Sequence, residues 1–350
     1  FDNTYYQQDW YLSVVNMYSI LPVWDVSLSV DFQYNKLNAV MRGVGTPFTF
    51  PQRYTTWAAL ATALNLGKWK LQADVLGTFV IEKVRNNVEA PDKSEFSPAL
   101  IVGYKPFSNQ DLNLRAFYKR IFRLPTFNDL YYAQIGFSQL NPEFTNQFNI
   151  GGSYQKTFKT GMIDRIALQM DVYYAAITDK IIAAPTGSSF RWMMTNMGKV
   201  ESKGVDVSTA VSGHIGLVKL HTNLTYSFTK AQDFTKINGK KLSSYGDQIP
   251  YTPWHSGSVI AGAEYGTWAL NYSFIYVGER YNGAVNNIPR NYVEPWYTHD
   301  FSLQKEFRIC SRYLLKASVE MNNALNQNYD VVLNYPMPGR NFRFVIGFSL

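Results

Sequence analysis

The sequence predicts an all-β protein, a transmembrane antiparallel β-barrel, and three observations indicate this class. Apolar and polar residues alternate with a period of two along most of the chain. The alternating segments are about 10–14 residues long, whereas globular strands average about 5–6 and tilted membrane-spanning strands need about 9–11. Short and long connections also alternate without a break, which is typical of outer-membrane barrels.

The stretch NYPMPGRNFRFVIGFSL, residues 334–350, shows the alternation most clearly. Its large apolar residues share one face, and these are Phe342, Phe344, Ile346, Phe348 and Leu350. Such a face requires an apolar environment, so we expect it to lie in lipid while the other face lines a lumen. Only a closed barrel pairs every backbone N–H and C=O group at membrane depth.

The same pattern predicts about fifteen strands. They lie near residues 9–21, 24–35, 54–66, 69–84, 94–104, 112–122, 144–156, 163–178, 199–212, 217–231, 253–265, 267–278, 295–307, 312–323 and 340–350. The long connections lie near 36–53, 85–93, 123–143, 179–198, 232–252, 279–294 and 324–339. We expect the short turns to be periplasmic and the long loops to be extracellular.

Composition excludes several other classes. The net charge is +7, but the basic residues are scattered singly, so the clustered footprint of a nucleic-acid-binding protein is missing. Cys310 is the single cysteine, which excludes an intramolecular disulfide and a cysteine-based zinc site. No run approaches the roughly 18 apolar residues of a transmembrane helix, and the opening FDNTYYQQDW lacks the features of a signal peptide.

Strand parity predicts that residues 1–350 are the C-terminal part of a larger barrel. Single-chain bacterial barrels have an even number of strands and short periplasmic turns. If the last strand ends in the periplasm, the first of fifteen descends from outside, and FDNTYYQQ falls in an extracellular loop. We therefore expect N-terminal strands that are not in this chain.

Five stretches resemble the TonB-dependent outer-membrane receptors of Gram-negative bacteria. They are KRIFRLPTFNDLYYAQIGFSQLNPE (119–143), TNMGKVESKGVD (195–206), QIPYTPWHS (248–256), YVGERYN (276–282), and the tail 322–350 with NNALNQNYD, YPMPGRNFRF and the closing strand. The resemblance implies an outer-membrane barrel of 22 strands with an N-terminal plug, and it implies that the plug and the N-terminal strands are not in this chain. It also implies TonB-dependent active transport of a scarce, bulky nutrient. Vitamin B12 receptors are the most similar branch and siderophore receptors follow, so a corrinoid or a ferric siderophore is the implied substrate.

The long loops supply candidate ligand contacts, because aromatic side chains offer contact area at low entropic cost and amides pair with other amides. The candidates are Phe127, Tyr131, Tyr132, Phe190, Arg191, Trp192, Asn196, Tyr281, Asn282, Asn286, Asn287, Arg290, Tyr292 and Tyr335. Packing within the loops is the alternative role for each of them.

Two further sets of residues fit the architecture itself. Aromatic residues near strand ends favour interfacial girdles, and these are Trp10, Trp24, Trp69, Tyr104, Trp268 and Tyr313. Charged residues expected to face the lumen should pair with one another or with a plug, and these are Arg115, Lys119, Arg165, Asp171, Lys203 and Glu320.

No catalytic constellation stands out, so the sequence does not predict an enzyme. The segments GSYQ and SGSV lack the strand–turn–helix setting of a nucleophile elbow, and the four histidines are not paired at ligand spacing. Asp129, Asp179 and Asp233 are too scattered to indicate a calcium cage. No cofactor is predicted, and loop-bound calcium is left open.

Two alternatives to energised uptake remain at this stage. A passive diffusion pore shares the alternation and the asymmetry of the loops, since porins have 16–18 strands. A barrel partner of a surface lipoprotein in a nutrient-capture complex is compatible with transport. The expected partners are therefore the lipid bilayer, the TonB complex, a small-molecule nutrient and such a lipoprotein, with no nucleic acid.

Overall fold

The computed structural model describes residues 2–42, 48–86, 89–132, 135–185, 192–309 and 313–349. Fifteen long strands in these residues form one antiparallel sheet in which sequence neighbours pair. We number them β1 (Asp2–Leu21), β2 (Trp24–Arg42), β3 (Gln52–Leu66), β4 (Trp69–Lys83), β5 (Lys93–Tyr104), β6 (Asp111–Arg123), β7 (Glu143–Thr157), β8 (Ile163–Pro185), β9 (Trp192–Ile215), β10 (Val218–Asp233), β11 (His255–Tyr265), β12 (Trp268–Val277), β13 (Trp296–Ile309), β14 (Tyr313–Asn322) and β15 (Asn341–Ser349). The predicted all-β class is confirmed.

Other regular structure in the described residues is short and lies in the connections. Helix α1 spans Phe127–Tyr131, and a 3₁₀ turn spans Pro289–Asn291. Small two-stranded pairs join Lys236–Ile237 to Lys240–Lys241, Arg280–Tyr281 to Tyr292–Val293, and Asp330–Val332 to Tyr335–Pro336. Among the described residues, no helix is both long enough and apolar enough to cross a bilayer.

Short and long connections separate to opposite ends of the sheet, as the sequence predicts. The short ones define what we call the turn end, and they include 22–23, 67–68, 105–110, 158–162, 216–217 and 266–267. Gly67, Gly216 and Gly266 each open a two-residue turn at φ near +60°, which is the position that a type II′ hairpin reserves for glycine. The long connections, including 124–142, 234–254, 278–295 and 323–340, define the loop end.

The pleat gives each strand an apolar outward face and a more polar inward face. Leu168, Met170 and Val172 of β8 are exposed on the outward face, whereas Asp171 between them is buried on the inward side. The apolar face of β15 follows the same rule, because Phe342, Phe344, Ile346 and Phe348 are between 60% and 77% exposed. Such a continuous exposed apolar surface is the lipid-facing band expected from the sequence.

Several predicted lumen charges pair on the inward face. The Arg115 guanidinium lies 2.7 Å from both carboxylate oxygens of Asp171, and the Arg343 Nε atom donates to Glu320 at 2.7 Å. Lys203 is an exception, and the prediction that it faces the lumen is wrong. Its cross-strand partner is Tyr174, which lies on the outward face.

Aromatic rows border the apolar band at both ends. At the turn end, Trp69 stacks on Tyr104 with ring centroids 4.3 Å apart, and Trp24 and Trp268 also follow short turns. Trp10 lies within β1 rather than at its end, opposite Tyr34, in an outer aromatic row. Tyr34 follows Trp24 by ten positions, about 33 Å along a strand and about 25 Å along the membrane normal at a tilt of about 40°.

Four strands extend further at the loop end than the sequence predicts. Residues 2–8 pair with β2 instead of forming a loop, and the loop expected over 179–198 is mainly the paired ends of β8 and β9. These extensions are supported on their inward side by two buried clusters, which include Ile181 in the first and Met197 and Val200 in the second. Burial of apolar side chains therefore continues the strands beyond the bilayer.

The two outermost strands each have one neighbour. Among the described residues, β1 pairs only with β2, and β15 pairs only with β14. The sheet described here is therefore an open array of fifteen strands with two free edges.

Candidate functional site

A cavity of about 860 Å³ lies on the inward side of β1–β6, next to connection 124–142, which we call the α1 loop. Strand parity directs polar side chains into it, including Arg53, Asp74, Lys119 and Arg123. Its volume falls within the range of about 300–1,000 Å³ that is typical of small-molecule sites. The cavity and the surrounding loops are therefore the candidate ligand site.

Helix α1 begins at a capping box. The Thr126 hydroxyl accepts from the Asp129 amide at 3.1 Å, and the Asp129 carboxylate accepts from the Thr126 amide at 2.9 Å. The helix turns apolar side chains into a buried cluster made of Leu37, Phe48, Phe127, Leu130, Tyr131, Leu140 and Ile181. Phe127 and Tyr131 are predicted ligand contacts, and the structure gives both of them a packing role in this cluster.

A buried ion pair fixes the α1 loop to the barrel wall. Arg53 of β3 donates from Nε to the Glu82 carboxylate of β4 at 2.7 Å, and Glu82 is only 4% exposed. Arg53 also donates to the Pro125 carbonyl at 2.9 Å, and its guanidinium lies 4.9 Å from the centre of the Phe127 ring. One arginine thus connects the wall, the loop and the cavity lining.

Burial, and then the nearby Glu82 carboxylate, raise the pKa of Tyr131 above its usual value of about 10. The folded α1 loop favours the neutral phenol, so this stabilisation is complete below about pH 10 and is lost as the pH rises above it. We expect proteolytic cleavage within 124–142 to accelerate above about pH 10. Tyr131→Phe should remove this acceleration, while Tyr132→Phe, which changes an exposed tyrosine, should retain it.

Asn196 ties the α1 loop to the β8–β9 hairpin. Its side-chain amide donates to the Asp179 carbonyl at 2.7 Å and to the Asn141 carbonyl at 3.1 Å, and its oxygen accepts from the Asn141 amide at 2.9 Å. Glu143 supports the same junction by accepting from the Ile181 amide at 3.0 Å. Asn196 is a predicted ligand contact whose polar groups are already engaged within the loops.

Arg280 joins two other long loops, connection 278–295 and connection 323–340. It is only 4% exposed, and it donates to the carbonyls of Glu294 (3.0 Å), Asp330 (3.1 Å) and Val331 (3.1 Å). No carboxylate forms an ion pair with it among the described residues. Burial therefore lowers the pKa of Arg280, since desolvation disfavours its charge.

Asn286 joins connection 278–295 to connection 234–254. Its side-chain oxygen accepts from the Gln248 amide at 2.6 Å, its side-chain amide donates to the Gln248 carbonyl at 3.1 Å, and its backbone amide donates to Asp247 at 2.9 Å. Tyr281 contributes through its carbonyl, which accepts from the Tyr251 amide at 2.8 Å. These predicted contacts also organise the loops, which leaves their backbone in one arrangement.

The remaining candidates differ in accessibility. Tyr132, Asn287, Arg290, Tyr292 and Tyr335 are exposed. Trp192 is partly buried, with its ring 5.7 Å from that of Tyr251, and the Asn282 side-chain oxygen is buried without a hydrogen-bond partner. Phe190 and Arg191 lie outside the described residues. We therefore define the exposed five as the rim set.

Sequence reasoning missed Arg53, Glu82 and Arg280. Arg53 and Glu82 lie on adjacent strands as direct cross-strand partners. The alternation in β3 and β4 therefore contained a signal for this pair. Arg280 lies in the YVGERYN stretch, but its acceptors are up to 51 positions away. No local pattern indicates such partners.

The acidic residues considered for calcium are separate in space or engaged. Asp129 caps helix α1, and Asp233 accepts from the Thr235 amide at 2.8 Å and from the Ser244 hydroxyl at 2.6 Å. Within the described ranges, no group of three or more His, Cys, Asp or Glu side chains is placed to hold a metal ion.

Comparison with known proteins places this geometry in one family. Residues 1–324 match the family model described as TonB dependent receptor-like, beta-barrel. Similar solved structures include the copper transporter OprC (TM-score 0.72, 15% identity, 99% of this chain and 57% of that one) and the unliganded ferric citrate transporter FecA (0.70, 14%, 99% and 54%). BauA, the ferric preacinetobactin receptor from Acinetobacter baumannii, is similar at 0.68 and 14%, over 99% and 55%.

The chain spans a little more than half the length of these solved structures. The sequence identity of these structures to this chain is low, so they support the fold alone. The family match, in contrast, covers most of the sequence. The two findings agree with the lipid-facing band, the turn end and the loop end described above. This protein belongs to the family of TonB-dependent receptor-like β-barrels and resides in the outer membrane of Gram-negative bacteria.

Proposed function

We propose that this chain is the ligand-receiving part of a receptor that imports a scarce, bulky nutrient with energy supplied through TonB. The observation that carries the proposal is the cavity of about 860 Å³ below the α1 loop. The α1 loop and other long loops at the loop end are held in one arrangement by Asn196, Arg280 and Asn286. A preorganised site binds with less loss of conformational entropy than a mobile one.

A ferric siderophore-type chelate is the substrate class that we propose first. FecA is described as a ferric citrate transporter and BauA as a ferric preacinetobactin receptor, and the net charge of this chain is +7. Around the cavity, Arg53 and Arg123 are engaged with carboxylates. Lys119, in contrast, has no ion-pair partner among the described residues, and its Nζ atom lies 4.8 Å from the Phe117 ring centre. Lys119 is therefore free to attract an anionic chelate.

A corrinoid is the second candidate, supported by the resemblance of RLPTFNDLYY and YPMPGR to vitamin B12 receptors. Residues of the first stretch cap helix α1 and fill a buried cluster. In the second, the Arg340 amide donates to Asn326 at 2.8 Å. These stretches support loop architecture, so they weigh less in the choice of ligand than the rim set does.

We also propose that further strands close the barrel and that a plug fills it. The free edges of β1 and β15 support this, because an unpaired edge at membrane depth leaves backbone groups without partners. Twenty-two strands are the number known for plugged transporters. The intact mass of the polypeptide extracted from native membranes tests the proposal, and a mass near 40 kDa without a companion chain would contradict it.

The uptake proposal is tested with the full-length receptor in cells. Ferric siderophores and corrinoids are supplied separately as labelled ligands, and uptake is measured with and without an uncoupler of the proton-motive force. We expect uptake of one class that stops when the uncoupler is added. Uptake that continues unchanged would instead support the passive pore. A lipoprotein that co-purifies in equal amount would support the capture-complex alternative, which is compatible with transport.

The rim set gives a specific binding prediction. Changing Tyr292 or Tyr335, which is 52% exposed, to alanine should lower the affinity for the ligand by about tenfold. Interface aromatic residues commonly contribute about 1–2 kcal/mol to binding. Binding is measured by titrating the purified receptor with the ligand identified in the uptake assay. Tyr313→Phe, at the turn end, is the matched control and should bind as the wild type does. Unchanged affinity in both alanine variants would remove the rim from the site.

A further inference from the structure

Two lysines lie directly opposite each other on the lipid-facing side of the sheet. Lys203 of β9 is the cross-strand partner of Lys230 of β10, and Lys203 is also opposite Tyr174 on the outward face of β8. Directly opposed side chains have Cβ atoms about 4.5–5.5 Å apart, and like charges at that spacing are destabilising. A negatively charged group beside the two lysines would therefore stabilise this arrangement.

The lysines lie at the loop-end border of the apolar band. The outward positions of β9 that follow Lys203 are Val205, Val207, Thr209, Val211, Gly213 and Ile215. Ile215 to Val205 spans ten positions, about 33 Å along the strand and about 25 Å along the normal at a tilt of about 40°. That is the height of the hydrocarbon band, so Lys203 lies where the head groups of the outer leaflet begin.

Neighbouring side chains do not neutralise the pair. The Lys199 ammonium lies 2.7 Å from the Glu201 carboxylate, so that acid already has a cation. The Lys230 ammonium lies 4.7 Å from the centre of the Trp254 ring, and neither Lys203 nor Lys230 has an ion-pair partner among the described residues. With Lys199 and Glu201 included, this patch carries a net charge of +2 from Lys203 and Lys230.

Amphipathic rings lie on the same face: Tyr174 is opposite Lys203, the Trp254 ring contacts Lys230, and Tyr226 is four positions from Lys230. Tyr226 lies on the outward face and its hydroxyl lies 2.9 Å from His255 Nδ1. Rings of this kind sit at the level of lipid head groups because one end is apolar and the other is wet. The patch thus combines two uncompensated cations with a border suited to a lipid interface.

We propose that Lys203 and Lys230 bind the phosphate group of a phosphate-bearing lipid in the outer leaflet of the outer membrane. The phosphate dianion places negative charge between the two ammonium groups and relieves their repulsion, while the acyl chains cover the apolar face of β8–β10. The chemistry recognised is a lipid phosphate, because the lysines point away from the lumen and toward the bilayer. This inference depends on the membrane location of the barrel and is independent of the transported nutrient.

The test uses the full-length receptor in a neutral detergent, with dioctanoyl phosphatidic acid as the probe. Native mass spectrometry measures the dissociation constant for the wild type and for the double variant K203Q/K230Q. Each basic residue near a membrane surface contributes roughly a fivefold factor, so we expect the double variant to bind about 30-fold more weakly. Binding should also weaken as salt is raised, since exposed charges are screened.

K305Q is the matched control, because Lys305 is an outward lysine at the opposite end of the band, with its ammonium 4.3 Å from the Trp268 ring centre. It should bind the probe as the wild type does. K203R/K230R preserves both charges and should also retain binding, which guards against a folding defect in the glutamine variant. Samples are compared only after their heat-modifiable migration confirms a folded barrel.

Two results would overturn the proposal. The first is equal affinity of the wild type and K203Q/K230Q for the probe. The second is complete displacement of the probe by inorganic phosphate at the same concentration, which would indicate a site for a free anion. Weakening confined to K203Q/K230Q, without displacement by inorganic phosphate, would establish the lipid site.

Discussion

Arg280→Met is expected to uncouple connection 278–295 from connection 323–340. The substitution removes three hydrogen bonds from one buried guanidinium and leaves the carbonyls of Glu294, Asp330 and Val331 without this donor. A hydrogen bond contributes about 0.5–1.5 kcal/mol net, so the loss of three should destabilise this region locally by about 3 kcal/mol. Amide hydrogen exchange in both connections should then become about 100-fold faster.

Arg290→Met is the matched control for this experiment. Arg290 lies on the same connection and is exposed, so its removal should change exchange in 323–340 very little. Arg280→Lys is a second comparison, since lysine retains the charge but cannot present the same planar set of donors. Equal exchange rates in the wild type and Arg280→Met would show that contacts other than those of Arg280 hold the two connections together.

Arg53→Met is expected to release the α1 loop from the barrel wall. It leaves the Glu82 carboxylate buried without its cation, and breaking a buried ion pair in this way costs about 3–5 kcal/mol. It also removes the hydrogen bond to Pro125 and the contact with the Phe127 ring. We expect pulse proteolysis to cleave within 124–142 at markedly lower urea concentration than in the wild type.

The double variant Arg53→Met/Glu82→Leu separates the ion pair from general packing. Replacing both buried charges by apolar side chains of similar size is commonly neutral or stabilising, so most of the lost resistance to cleavage should return. If the double variant is as sensitive as Arg53→Met, the contacts of Arg53 with Pro125 and Phe127 hold the loop rather than the ion pair. If Arg53→Met is as resistant as the wild type, the buried cluster around Leu130 is sufficient by itself.

These two arginines stabilise different loops at the loop end. Arg53 fixes the loop that covers the cavity, whereas Arg280 fixes the loops that carry much of the exposed rim, including Arg290, Tyr292 and Tyr335. Several residues that the sequence suggests as ligand contacts instead help to hold these loops in place. Ligand specificity is therefore expected to reside in the few exposed side chains, while the motif residues maintain the arrangement that presents them.

The antiparallel sheet and its lipid-facing side follow from the sequence alone, because the two-residue period is a local property of each strand. The apolar set Phe342, Phe344, Ile346 and Phe348 predicts its lipid-facing position without knowledge of any neighbour. The alternation of short turns and long loops is local in the same sense. Strand length is a less local property, because the additional paired residues of β8 and β9 depend on buried clusters assembled from distant loops.

Only the tertiary structure decides which loop residues face solvent and which are buried. Phe127 and Tyr335 are both aromatic residues in long loops, yet Phe127 fills a buried cluster and Tyr335 is exposed, because burial depends on which strands lie beneath each loop. The same holds within a strand for Lys203. Neighbouring positions in a strand face opposite sides, so an error of one position in the predicted alternation changes a lumen-facing charge into a lipid-facing one. Two acceptors of Arg280 lie 50 and 51 positions away along the chain, and chain folding alone brings them to its guanidinium.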